Sequence, residues 1–200
     1  MATPILDLNR LYSYADYLQW QFEESLELIR GQVFWMSPAP KRQHQDIARE
    51  LSSIFSQYLK NKPCKVYFAP FDVRLPAQAA DNSKADQITT VVQPDICVVC
   101  DPAKLDDRGC LGAPDLIIEI VSPSTAAKDT GIKFELYESA GVAEYWIVYP
   151  VGTIHVYWLD EKGKYYQAGI YSKLHHLEVK TLPGLTIELA QVFVDDPSTF

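Results

Sequence analysis

The apolar positions of the chain fall into short runs separated by polar or proline-containing stretches, and their spacing predicts the elements. Tyr12 to Gln19 reads as a short helix. Leu26 to Ile29 and Gln32 to Met36 read as two strands around Arg30-Gly31, a tight hairpin. Ser37-Pro-Ala-Pro40 breaks the pattern. From Gln43 to Lys60 the residues Ile47, Leu51, Ile54, Phe55 and Tyr58 recur at helical spacing, giving the clearest amphipathic helix, and Asn61-Lys-Pro63 ends it. Lys65–Ala69 and Asp72–Leu75 follow as strands, and the polar stretch from Gln78 to Thr90 as a loop. Two further strands, Ile96–Cys100 and Leu116–Val121, flank a loop rich in Asp and Gly. Ser122-Pro-Ser-Thr125 can cap a helix from Ala126 to Ser139, which Gly131 weakens and Gly141 stops. Glu144–Tyr149 then leads into a meander of Ile154–Leu159, Lys164–Ala168 and Leu177–Thr181. With no repeat and no dividing linker, this order points to one α/β or α+β layered domain over residues 1–200.

Composition narrows the class. A 200-residue chain that is 48% hydrophobic and 22% charged buries a core without needing staples. Its apolar runs are far too short to span a bilayer. No basic region followed by a greasy stretch opens the chain, so a cytoplasmic protein is expected, with Cys64, Cys97, Cys100 and Cys110 all reduced. Cys97 and Cys100 form a lone C-x-x-C. It lies in a strand, where residues three apart face opposite ways, so the pair reads as buried small hydrophobes rather than a zinc or redox site.

The carboxylates carry the chemistry. Glu119 sits between Ile118 and Ile120 in a strand otherwise built of aliphatic residues, and Asp95 directly precedes Ile96-Cys-Val-Val99. A carboxylate buried alone costs several kcal/mol, so each should meet a cation, a metal or a donor cluster. Two such groups from neighbouring strands have the hard oxygen ligands that a divalent ion takes. Singly, each reads more readily as a structural ion pair or a backbone acceptor at a strand end.

The net charge of −8 excludes a polybasic nucleic-acid binder. Its distribution is uneven. Residues 81 to 119 hold eight acidic groups against three basic ones, a net of −5, and residues 41 to 74 hold seven basic against three acidic, a net of +4. An acidic metal-collecting segment beside a basic one suits a polyanionic substrate. Ordinary solvated faces explain the same numbers.

Pro94-Asp95 followed by a spaced Glu119 resembles the PD-(D/E)XK nuclease superfamily, and the wider frame resembles its Uma-type branch. The matching pieces run in order over about residues 10 to 190: Glu27-Leu-Ile-Arg-Gly31, Met36-Ser-Pro38, His44 opening a helix, Gln93-Pro-Asp-Ile96, Ile118-Glu-Ile-Val-Ser-Pro-Ser-Thr125, Asp129 with Lys133 and Tyr137, and Gly141-Val-Ala-Glu-Tyr-Trp-Ile-Val148. The resemblance implies a restriction-endonuclease-like mixed β-sheet flanked by helices, extended by the late meander. It also implies Mg²⁺-dependent (or Mn²⁺-dependent) endonuclease cleavage of DNA, with Asp95 and Glu119 holding the metal. A homodimer is implied by the same resemblance. The chain departs from the pattern where the superfamily's lysine lies two residues after the glutamate, because that position is Val121. Lys133 is the substitute, with Lys128 second.

Asp129, Lys133 and Tyr137 fall on one helical face, though Asp129–Lys133 also reads as a surface salt bridge. His44 and Glu27 become site residues in this frame. From spacing alone they are a capping or core histidine and a hairpin surface glutamate. Asp72 is a lesser candidate of the same kind. His175-His176 cannot both reach one metal from a strand, and the aromatics of the meander read mostly as core. The rival reading is a non-catalytic binding or assembly module that keeps the fold.

Overall fold

The structure is a computed structural model that describes residues 6–7, 9–20, 25–36, 40–76, 84–123 and 125–193. Ser37 to Ala39, Ser124, Asp81 and most of the first half of the polar Gln78–Thr90 loop therefore lie outside the described residues.

One six-stranded sheet forms the spine, in the order Tyr165–Ser172, Thr153–Leu159, Glu144–Tyr149, Leu116–Ile120, Ile96–Val99, Lys65–Phe68. Its central pair, Leu116–Ile120 and Glu144–Tyr149, is parallel, and the other neighbours are antiparallel. Parallel neighbours need a crossover, and residues 126 to 140 supply it as a helix. Both central strands are buried on both faces, which is why they read as continuous aliphatic runs.

One face of this sheet packs on the Arg42–Leu59 helix. Ile47, Leu51, Phe55 and Leu59 from the helix meet Ile96, Val98, Leu116, Ile118, Ile120 and Trp146. On the other face Cys97, Ile117, Val121, Tyr145 and Ile147 pack against Leu136 and Tyr137 of the crossover helix and against a second sheet. That sheet runs Gln32–Trp35, Leu26–Ile29, Val91–Val92, Val73–Arg74, Gly109–Leu111, Leu105–Asp106. Its first two strands are the expected hairpin, turned by Arg30 and Gly31, both at positive φ. Its last two lie in the Asp- and Gly-rich stretch that reads as a loop. Short runs of two or three residues carry too little periodicity to be read. At Gly109 a side chain would run into the Asp72 carbonyl, so glycine is required where the two segments cross.

Three readings need correction. The Lys164–Ala168 strand continues to Ser172, with a bulge in its pairing, and the last meander segment leaves the sheet: His176–Glu178 pairs with Thr186–Glu188 instead. The helix at Ala126 is not uniform, because Lys128–Ile132 widens into a π turn before α-helix resumes over Lys133–Ala140. The cysteines are not all reduced, since Cys64 and Cys100 form a disulfide. The pairing of Lys65 with Val99 places the next two residues outward, Cys64 and Cys100, opposite each other, and that register is invisible in sequence. Cys97 and Cys110 are free and buried, and Cys97 faces the opposite side of the sheet from Cys100.

Candidate active site

Strand register brings the two suspected carboxylates together. Ile96 pairs with Ile118 across the antiparallel strands, and one step further along the same register Asp95 stands opposite Glu119. Directly opposed residues project from the same face, with Cβ atoms about 4.5–5.5 Å apart. Glu119 is 4% exposed, in the layer between the main sheet and the crossover helix.

Each carboxylate is held through one oxygen. Asp95 Oδ2 accepts from the backbone N–H of Ile120 at 2.7 Å and lies 3.2 Å from His44 Nε2. Glu119 Oε1 accepts from Lys133 Nζ at 2.9 Å and from the Tyr137 hydroxyl at 2.7 Å. Asp95 Oδ1 and Glu119 Oε2 receive no donor from the described residues.

Lys133 is also bound by Glu27, whose Oε1 lies 2.8 Å from its ammonium. Glu27 is fully buried in the Leu26–Ile29 strand and takes two further donors, Lys128 Nζ at 2.7 Å on Oε2 and the Gln93 backbone N–H at 3.0 Å on Oε1. The hairpin glutamate is thus an interior group. The π turn is what lets one carboxylate collect both lysines. Residues five apart lie about 140° apart around a regular α-helix, whereas one wide turn returns Lys128 and Lys133 to the same side. Asp129, Lys133 and Tyr137 do share one face and all are buried, so Asp129–Lys133, 3.9 Å apart, is no surface pair. The Tyr145 hydroxyl pins the wide turn by donating to the Asp129 carbonyl.

The electrostatics follow from burial. Desolvation pushes Glu119 well above the ordinary carboxylate range. Lys133 opposes that shift, and the charges of Asp129, Asp95 and Glu27 reinforce it. Burial also raises Asp129 against the pull of Lys133. For Glu27, burial is outweighed by Lys133 and Lys128, which hold it ionised. Lys133 is driven up despite its burial by Glu119, Glu27 and Asp129. His44 rises because its bond to Asp95 overcomes the cost of burial.

The donor set fits a hard divalent cation that is completed from outside. Mg²⁺ takes one or two carboxylates and fills its octahedron with water and substrate phosphate. The free oxygens of Asp95 and Glu119 offer that much. Among the described residues no three His, Cys, Asp or Glu groups form a closed metal cage.

Other candidates fall elsewhere. Asp72 accepts from Gln93 Nε2 at 2.8 Å and from the Tyr17 hydroxyl at 3.4 Å, a cluster joined to the site only through Gln93. His175 takes the Ser172 backbone N–H on Nδ1. The +4 segment is not one surface: Arg74 is buried against Asp106, and Lys60, Lys62 and Lys65 follow the far end of the 18-residue Arg42–Leu59 helix, with Lys60 about 24 Å from His44 along the helix axis. Lys41 and Arg42 remain at the near end. Sequence reasoning missed the Lys128–Glu27 contact, for which the i, i+5 spacing gives no signal. It also missed Glu144, a fully buried carboxylate that accepts from the Trp146 indole at 2.9 Å and from the Thr181 backbone and hydroxyl.

Comparison with known proteins bears on the fold and the family. The chain is similar to an uncharacterized Synechocystis protein, slr1290, with 32% identity over 124 residues, 61% of this chain and 60% of that protein's length. It shares its fold with a crystal structure from Anabaena variabilis described as a "putative nuclease belonging to DUF820", at TM-score 0.69 and 18% identity over 91% of this chain and 97% of that one. Residues 14–190 match the Uma2 family model, described as "Putative restriction endonuclease". The chain therefore belongs to the Uma2 family and shares the fold of that crystal structure.

Proposed function

We propose that this protein is a Mg²⁺- or Mn²⁺-dependent endonuclease that hydrolyses DNA phosphodiester bonds at the Asp95–Glu119 cleft. The observation that carries the reading is Lys133 Nζ at 2.9 Å from Glu119, itself opposite Asp95: two carboxylates and a cation converge although the usual lysine position is Val121. Asp95 and Glu119 would hold the ion through their free oxygens. When bound, such an ion polarises a phosphoryl oxygen and lowers the pKa of a water.

The chain's own residues do the rest. His44 and the Ile120 N–H fix the Asp95 carboxylate, and Tyr137 fixes Glu119. Lys133, held charged by three carboxylates, supplies positive charge beside the phosphate as negative charge develops there. Glu27 keeps that ammonium aimed at Glu119.

Cleavage of a plasmid substrate with Mg²⁺, by the unsubstituted chain and by Asp95→Ala and Glu119→Ala, tests the assignment. Loss of cleavage in both folded variants supports it, and retained cleavage in both refutes it. The reading as a non-catalytic module draws on the burial of Lys133 between two glutamates, which is equally the look of a structural ion pair. Calorimetric titration separates the two, because a purely structural network takes up no Mg²⁺ at millimolar concentration.

A further inference from the structure

Two lysines reach Glu27, and they are not equivalent. Lys133 is 3% exposed and divides its ammonium between Glu27 Oε1 and Glu119 Oε1. Lys128 has a side chain 17% exposed and touches Glu27 Oε2 alone, at 2.7 Å. Glu27 does not depend on it alone: with Lys128 gone, the carboxylate still holds the Lys133 ammonium and the Gln93 N–H on Oε1. Lys133 is different, because removing it strips Glu27 of its buried counter-charge and Glu119 of its cation.

Lys128 is therefore a cation at the site that reaches solvent and is free to change partner. It is also the first residue of the π turn, two residues beyond the start of the crossover helix and close to the end of the strand that carries Glu119. A wide turn at that point costs hydrogen-bond geometry. What it achieves is to bring Lys128 round to the Glu27 side, where the side chain waits beside the carboxylates.

We infer that Lys128 is a phosphate-gripping residue: on binding, a backbone phosphate of the nucleic acid replaces Glu27 as the partner of its ammonium. This rests on the nuclease reading above. The exchange trades one charge-assisted bond for another, and it delivers a positive charge to the substrate from a site that is otherwise crowded with carboxylates.

The test is the salt dependence of binding. A fluorescent DNA duplex is titrated with the full chain over a range of KCl concentrations, with Ca²⁺ replacing Mg²⁺ to suppress turnover. Each phosphate contact contributes about −0.9 to the slope of log K against log salt on duplex DNA. Lys128→Ala should flatten the slope by about that amount and weaken binding several-fold at low salt. Lys128→Arg should keep the wild-type slope. Lys128→Gln, which still offers Glu27 a hydrogen-bond donor and so protects the fold, should flatten it as Lys128→Ala does. A wild-type slope in folded Lys128→Ala and Lys128→Gln would overturn the assignment and leave the nuclease reading standing. If the unsubstituted chain binds no duplex, both fall.

Discussion

Lys133 sets its ammonium 2.9 Å from the Glu119 carboxylate from fourteen residues further along the chain. In the superfamily pattern the lysine would come from the strand itself, at the position of Val121, but here that residue is 4% exposed and packs in the core layer. The cation instead rises from the crossover helix, and the adjoining second sheet supplies Glu27 to hold it. Carried on the helix, the Lys133 ammonium is tied to the packing of three layers, and several consequences can be measured.

Lys133→Met should destabilise the fold by about 3–5 kcal/mol, since it leaves Glu27 and Glu119 facing each other without their shared buried counter-charge. Urea unfolding of the metal-free chain measures this. The double substitution Lys133→Met/Glu119→Gln should recover part of the loss. A loss in the double equal to the single would show that Lys133 and Glu119 are not energetically coupled.

Acid stability should depend on Glu27. Burial works against its ionised form, but Lys133 and Lys128 win and depress its pKa in the folded chain. A depressed carboxylate stabilises above its unfolded pKa of about 4.3 and loses that contribution as pH falls through the folded value. Glu27→Gln should therefore lower the urea midpoint at pH 7 and make it less sensitive to pH below about 4.3. Glu119 has the opposite sign. Its pKa is raised by burial and neighbouring carboxylates, so its contribution is whole below about 4.3 and fades as pH rises. Glu119→Gln should flatten the fall in stability between about pH 4.3 and about 8. An unchanged pH profile in either variant counts against that residue as the titrating group.

The disulfide makes a countable prediction. Denatured without reductant, the chain should show two reactive thiols, from Cys97 and Cys110, and four after reduction. Reduction should also cost about 2–4 kcal/mol of stability, the range for a bridge that closes a loop of this order. Four thiols at the outset would mean that the strand pair stands without its bridge.

What the sequence makes legible divides by mechanism. The Arg42–Leu59 helix and the central strands announce themselves through long periodic or continuous apolar runs, and Asp95 and Glu119 stand out because charge interrupts those runs. Asp129, Lys133 and Tyr137 were readable as one helical face because four-residue spacing is what a helix repeats. Contacts set by register or by irregular backbone were not. Cys64 meets Cys100 through an antiparallel register, Lys128 meets Glu27 through a π turn, and Glu144 is satisfied by Thr181 from a later loop without any cation. Alternation also hid Glu27, since a strand buried on both faces does not alternate.

Glu144 separates folding from function. Its carboxylate accepts the Trp146 indole and the Thr181 backbone and hydroxyl on the face of the sheet opposite to Glu119. Glu144→Ala should cost about 2–4 kcal/mol by leaving those buried donors unpaired, while Mg²⁺ affinity measured on the folded variant stays unchanged. A loss of metal affinity in step with the loss of stability would show that the Glu144–Tyr149 strand transmits to its neighbour Leu116–Ile120.

The role proposed for Lys133 can be tested by placing a lysine at position 121. Val121 lies two residues beyond Glu119, so a lysine there projects from the same face of the strand. In the Lys133→Ala background, Val121→Lys should restore part of a cleavage rate that falls about 10²–10³-fold when a preorganised charge is removed. In the otherwise unaltered chain the same change should instead destabilise, because it buries a second ammonium in the layer beside Lys133 and displaces core packing at Val121. Rescue in the first case together with a penalty in the second would identify the position of the charge, rather than the residue that delivers it, as what the chemistry requires. A folded double variant with no recovered cleavage would place the need in the helix-borne geometry of Lys133 itself.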